Sequence, residues 1–194
     1  MGKVMKNNQL LTGLITSFSL GFLLVPPSYA EEIIRQIDFN NFTYQIREGG
    51  MGPSGNITLK QGQYQDDDWG YVSLDKVQYR DFNDDSKEDA LVVLLSSGGG
   101  SGISTHAYIF ESQSRKIKPI FSTMNFIEIR PYGSGFVLYT SNRANTGKIN
   151  CGNFLVGSNV IDITPYQWEE NGFSPLKTTT IQGREICNVL SIPS

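Results

Sequence analysis

The sequence predicts a mainly β protein, with antiparallel sheet packed as a sandwich, roll or barrel and little helix beyond its first thirty residues. Three observations predict it. Apolar, aromatic and β-branched residues recur in short segments, several with a period of two. Turn signals rich in Gly, Asn and Asp separate those segments at short intervals. No long stretch carries the 3.6-residue period of an amphipathic helix.

Each element follows from local composition. Residues 33–37 support a helical turn or two. Residues 37–46 (IDFNNFTYQI) are aromatic and β-branched and read as a strand. The glycines between 49 and 55 mark a loop, and residues 56–64 give a short strand, a turn at Gly62 and a second strand start. Residues 71–79 alternate through Val72, Leu74, Val77 and Tyr79, with a phase break near Asp75-Lys76 that signals a bulge. Residues 90–95 (ALVVLL) are continuously apolar and flanked by turns, as a central strand buried on both faces requires. The glycine run 98–102 then links to an aromatic strand over 105–111. Strands over 116–121, 126–130 and 135–140 follow, the last two joined by a turn at 132–135. A closing pair over 159–169 and 172–176 turns at residues 170–172, where Asn171-Gly172 is the favoured dipeptide. The absence of a tandem repeat argues against a complete propeller.

Composition bounds the function. A chain of 194 residues, 39% hydrophobic and 18% charged, suits one globular domain. One His and two Cys exclude zinc fingers and disulfide-dense miniproteins. Residues 1–30 carry Lys3 and Lys6, an apolar stretch over 10–25, Pro26-Pro27 and then Ser28-Tyr29-Ala30. That is the layout of a secretory signal peptide cut after Ala30, leaving residues 31–194 as a single exported β-rich domain, periplasmic or extracellular, with no membrane span. The apolar run is short for a membrane anchor. Removing Lys3 and Lys6 from 16 basic residues leaves 14 against 19 acidic, a mature charge of −5. Such a balance points away from nucleic acid and anionic membranes. In an oxidising compartment Cys151 and Cys187 read as one disulfide; no CxxC marks a redox pair.

The sharpest motif is Asp81-Phe82-Asn83-Asp84-Asp85-Ser86-Lys87-Glu88-Asp89. Oxygen-bearing side chains stand at offsets 1, 3, 5 and 9 (Asp81, Asn83, Asp85, Asp89), and Lys87 at offset 7 offers its carbonyl. Calcium takes six to eight oxygens, and alternate residues of a tight loop can aim them inward. This is no EF-hand, because offset 12 is Val92. Offset 6, where such loops carry Gly, is Ser86. The alternative is an acidic turn whose Asp and Asn side chains bond their own backbone.

Residues 77–102 (VQYRDFNDDSKEDALVVLLSSGGGSG), with the aromatic strand after them, resemble a segment of many exported bacterial proteins. There a single aspartate loop of FG-GAP or VCBS type leads into an apolar strand and a Gly-Gly-Ser-Gly turn. Residues 57–65 and 159–176 are similar to the flanking segments of those proteins. The resemblance implies an exported β-rich domain and a cation loop.

The remaining signals suggest scaffold more than chemistry. The glycine run lacks the Gly-Lys-Ser/Thr ending of a P-loop. His106 falls inside a strand, and no GxSxG elbow accompanies it. Trp69, Tyr71, Tyr79, Tyr108 and Trp168 are candidates for a ligand surface or for the core. The expectation is a non-enzymatic binding module, calcium-stabilised, for a protein or glycan ligand; the alternative is a secreted glycan hydrolase using two carboxylates.

Overall fold

The computed structural model describes residues 29–113, 116–142, 147–151 and 155–191. Residues 1–28 of the expected signal peptide lie outside them. The first element, α1 (Tyr29–Gln36), runs across the expected cut and buries Ile34 completely. Asp38 then caps a 3-10 turn at Phe39–Asn41, its Oδ1 accepting the Asn40 amide at 3.0 Å. This corrects the strand expected from residue 37. A side chain that bonds the backbone two residues ahead bends the chain locally, and β1 begins only at Thr43 (Thr43–Ile46). It pairs antiparallel with β2 (Gly55–Thr58), turning Tyr44, Ile46 and Ile57 inward.

Five strands form the first sheet in chain order: β3 (Gln63–Gln65), β4 (Tyr71–Arg80), β5 (Asp89–Ser97), β6 (Ser104–Gln113) and β7 (Lys116–Met124). The register of β4 shifts between Leu74 and Lys76, where the sequence breaks phase. β5 lies central, and its run of apolar residues serves both faces. Ala90, Val92 and Leu94 pack with Ile34, Tyr44 and Ile57 of the N-terminal layer. Leu91 and Val93 pack against the second sheet through Ile129, Phe136 and Leu138. Each Val, Leu, Ile or Phe among them, fully buried, stabilises by about 1.5–3 kcal/mol.

The second sheet holds β8 (Glu128–Pro131), β9 (Gly135–Ser141), β12 (Val160–Glu169), β13 (Gly172–Pro175) and β14 (Thr179–Gln182). Between β9 and β12 runs a two-residue pair, β10 (Ile149–Asn150) with β11 (Leu155–Val156). The β12–β13 turn is built on Glu170 and Asn171, not on Asn171-Gly172. Glu169 pairs with Gly172, and Glu170 takes the left-handed φ of 45°. Neither sheet closes on itself among the described residues, so the packed antiparallel sheets form a sandwich or roll and not a closed barrel.

The outer face of the second sheet has its own cover. Val137, Tyr139, Ile161 and Ile181 pack under Ile186 of α2 (Glu185–Leu190). Six residues are too few for a helix to stand alone. The Cys151–Cys187 disulfide, Cα–Cα 5.2 Å, ties α2 to the β10–β11 pair. From β8, Arg130 donates to the carbonyls of Val189 (3.0 Å) and Leu190 (2.9 Å) at the helix C-terminus. No helix among the described residues is long and apolar enough to cross a membrane.

Candidate functional site

The 81–89 loop joins β4 to β5 and is anchored by Phe82, fully buried between the two sheets. The Phe82 amide donates to Asp89 Oδ2 at 3.0 Å, closing the loop at its base. Above it the acidic side chains turn onto the backbone. Asp81 Oδ2 accepts the Ser86 amide at 2.8 Å, Asn83 Oδ1 the Asp85 amide at 3.2 Å, and Asp85 Oδ1 the Lys87 amide at 2.9 Å. Asp84 (φ 60°) and Ser86 (φ 64°) are both left-handed. Ser86 thus adopts the conformation expected of glycine at that offset, at about 1–2 kcal/mol. The pattern matches the self-bonded acidic turn. The same turn carries all five predicted site residues, Asp81, Asn83, Asp85, Lys87 and Asp89.

Two features bear on a cation. Lys87 reaches back, its Nζ 3.1 Å from Asp85 Oδ2, as a partly exposed ion pair. Such a pair is weak and can give way to a divalent ion. Asp89, by contrast, is 1% exposed. Burial pushes its carboxyl up to about 7, and the neighbouring charges of Asp85, Asp81 and Glu111 push the same way, against the Phe82 hydrogen bond. Among the described residues no three His, Cys, Asp or Glu side chains are gathered as a metal-holding group. The donors present are carboxylate and amide oxygens, the hard set that calcium prefers, and each ionised carboxylate keeps lone pairs beyond its amide bond.

Glu111 is the member that sequence reasoning missed. It lies on β6, one step beyond the Ala90–Phe110 pairing, and its Oε2 accepts from Asn83 Nδ2 at 3.4 Å. The signal was the register of the β5–β6 hairpin, which places residue 111 opposite residue 89.

The other candidates resolve individually. His106 is buried on β6, with Nε2 2.8 Å from Ser96 Oγ. Ser96 Oγ donates its single proton to the Met51 carbonyl at 2.8 Å. The imidazole is therefore the donor to Ser96, the reverse of general-base activation. The pair fastens the loop after β1, where the Met51 amide donates to Ser104 Oγ at 2.7 Å. Tyr108 is core, Tyr79 sits under the Arg35 guanidinium, and Trp168 packs on Phe173. Trp69 alone stands 76% exposed, with Tyr71 at 36% beside it.

The clefts bear unequally on the hydrolase expectation. A hollow of about 180 Å³ is lined by both Asp75 and Glu128, but Lys76 Nζ lies 3.4 Å from Glu128 Oε1. That volume falls below the 300–1,000 Å³ of ordinary ligand sites. The hollow of about 760 Å³ between β1 and β7 has the buried rings of Tyr108 and Phe110 as its floor. Pro119 and the exposed Lys116 and Lys118 guard its β7 edge, a usual device against strand addition. A third, of about 470 Å³, lies beside Trp69, and a fourth, of about 710 Å³, lies at the β12–β13 turn with Glu169 and Glu170 in its lining. No family model matches the chain, and no curated protein or solved structure matches it.

Proposed function

We propose that the chain is an exported, non-enzymatic binding module whose 81–89 loop takes one calcium ion. The observation that carries the ion is the Asp89 carboxyl, 1% exposed and faced by the charges of Asp81, Asp85 and Glu111. Buried acids that crowd one another are costly, and a divalent cation turns their repulsion into attraction. On this reading the ion would draw together side-chain oxygens of Asp81, Asn83, Asp85 and Asp89 and the carbonyl of Lys87, which are not gathered around one point without it, with Glu111 beside Asn83. The ion's role is structural, locking the turn that seats Phe82 between the sheets. The likeness of residues 77–102 to exported proteins with a single aspartate loop belongs to the same reading. Export is supported by the leader-like residues 1–30 and by the disulfide. The polarity of the Ser96–His106 pair favours binding over serine-type hydrolysis.

Extracellular calcium modules of this class bind at about 10⁻⁴–10⁻³ M. Ten millimolar Ca²⁺ is then expected to stabilise the chelator-treated protein by about 1–3 kcal/mol. Calorimetry should show a Tm rise of roughly 3–10 °C that Asp85→Ala abolishes. An equal Tm in Ca²⁺ and in EDTA overturns the ion. Export has its own check. The protein recovered from the periplasm or medium is expected to begin at Glu31, and an intact cytosolic leader would exclude this reading.

A further inference from the structure

We propose that the Trp69 turn and the strand face beside it form a stacking site for a neutral glycan, an assignment that rests on the binding-module reading and names its ligand. The argument begins with the turn. Asp66 closes it on both sides, its amide donating to the Gly70 carbonyl at 2.9 Å and its Oδ1 accepting the Gly70 amide at 2.6 Å. The three residues between need a left-handed conformation at the third, a place for Gly or Asn. Trp69 occupies it at φ 67°. A bulky aromatic there costs stability, and with 76% of its surface exposed burial does not offset the cost.

The turn is backed by the glycine run. A Cβ on Gly99 (φ 84°) would lie 2.8 Å from Trp69 Cβ, so glycine there lets the two turns press together. This gives the run a purpose that a simple hairpin does not require. Beside the indole, the β3–β4 register puts Gln63 opposite Ser73 and Gln65 opposite Tyr71, on one face of the sheet. With Trp69 these residues line the cleft of about 470 Å³, a volume within the range of small-ligand sites.

The lining selects the ligand. Two amides, a hydroxyl and a phenol donate and accept hydrogen bonds, as a row of sugar hydroxyls demands. The rings of Trp69 and Tyr71 offer negative π-faces to the C–H face of a pyranose. Among the described residues neither carboxylate nor ammonium lines the cleft. Asp67 and Asp68, exposed in the turn above it, repel anionic polymers. A neutral polysaccharide meets all of these conditions.

The test uses the purified full chain with laminarin, xylan, mannan, cellohexaose and chitohexaose, and with heparin and polylysine as charged controls. Titration calorimetry should find binding to at least one neutral glycan and none to heparin. Trp69→Gly should weaken that binding at least roughly tenfold while leaving Tm unchanged or raised by a few degrees, because glycine relieves the left-handed position. Trp168→Phe should bind as the wild type does. Equal glycan binding by Trp69→Gly overturns the site and leaves the module reading standing. Binding to heparin or polylysine alone, or no binding to the neutral panel, overturns the glycan.

Discussion

Replacing both Cys151 and Cys187 by serine is expected to lower stability by about 4 kcal/mol, a fall in Tm of about 10 °C. The two cysteines are 36 residues apart in sequence, and cross-linking a loop of that size removes chain entropy of about this magnitude from the unfolded state. The native state depends on the bond locally as well. α2 has six residues, held by Ile186, Val189 and Leu190 on the outer face of the second sheet, by the Arg130 guanidinium at its last carbonyls, and by the disulfide. Without the bond, exchange of the amides over 185–190 should accelerate before any amide of β5 does. Urea unfolding of the double variant, and of the reduced wild type, checks the magnitude. A midpoint unchanged from the oxidised protein would show that the outer layer holds without its covalent tie.

The second large effect is electrostatic. Asp89→Asn is expected to stabilise the calcium-free protein at pH 8 by up to about 4 kcal/mol. The sign follows from proton binding. The native carboxyl, raised from 3.8 to about 7, keeps its proton through a window in which the unfolded chain has lost it. Between about pH 4 and pH 7, wild-type stability therefore falls as pH rises, relative to a variant whose side chain cannot ionise. Asn can still accept the Phe82 amide, so the loop keeps its closing bond. His106 acts in the opposite sense. Burial holds its imidazole below the usual range, so below about pH 6.5 the unfolded chain takes up the proton first and stability falls with acidity. The difference between variant and wild type isolates Asp89 from that background. It should grow from near zero at pH 4 to its full value above pH 7, and Ca²⁺ should narrow it. A difference that does not vary with pH would mean the carboxyl titrates normally.

The fold was legible where one physical demand dominated. The residues over 90–95 are apolar on both parities, and only a strand covered on both faces satisfies them; β5 is that strand. The phase break at Asp75-Lys76 is visible because period two leaves no room for an extra residue. Reading failed where a side chain overrode the pattern. Asp38 captures the Asn40 amide and turns residues 39–41 out of an apparent strand. α2 was invisible because its stability is tertiary, resting on Arg130, the disulfide and one buried isoleucine. The acidic loop showed its side chains in sequence, since their offsets are local. Glu111 did not, because its place beside Asp89 depends on pairing across a hairpin. Trp69 looked like any strand aromatic until the φ of its turn set it apart.

The meander of the first sheet carries a kinetic consequence. Each of its strands pairs with the one synthesised just before it, so every zippering step closes only a short loop and loses little chain entropy. Its partner sheet must instead bring β12 back onto β9 and then β14 onto β12, across longer stretches of chain. The topology favours an early nucleus at β4–β6, with the aspartate bend already shaped inside it. On that order the C-terminal third would condense onto the template, with thiol oxidation as the closing event rather than the guide.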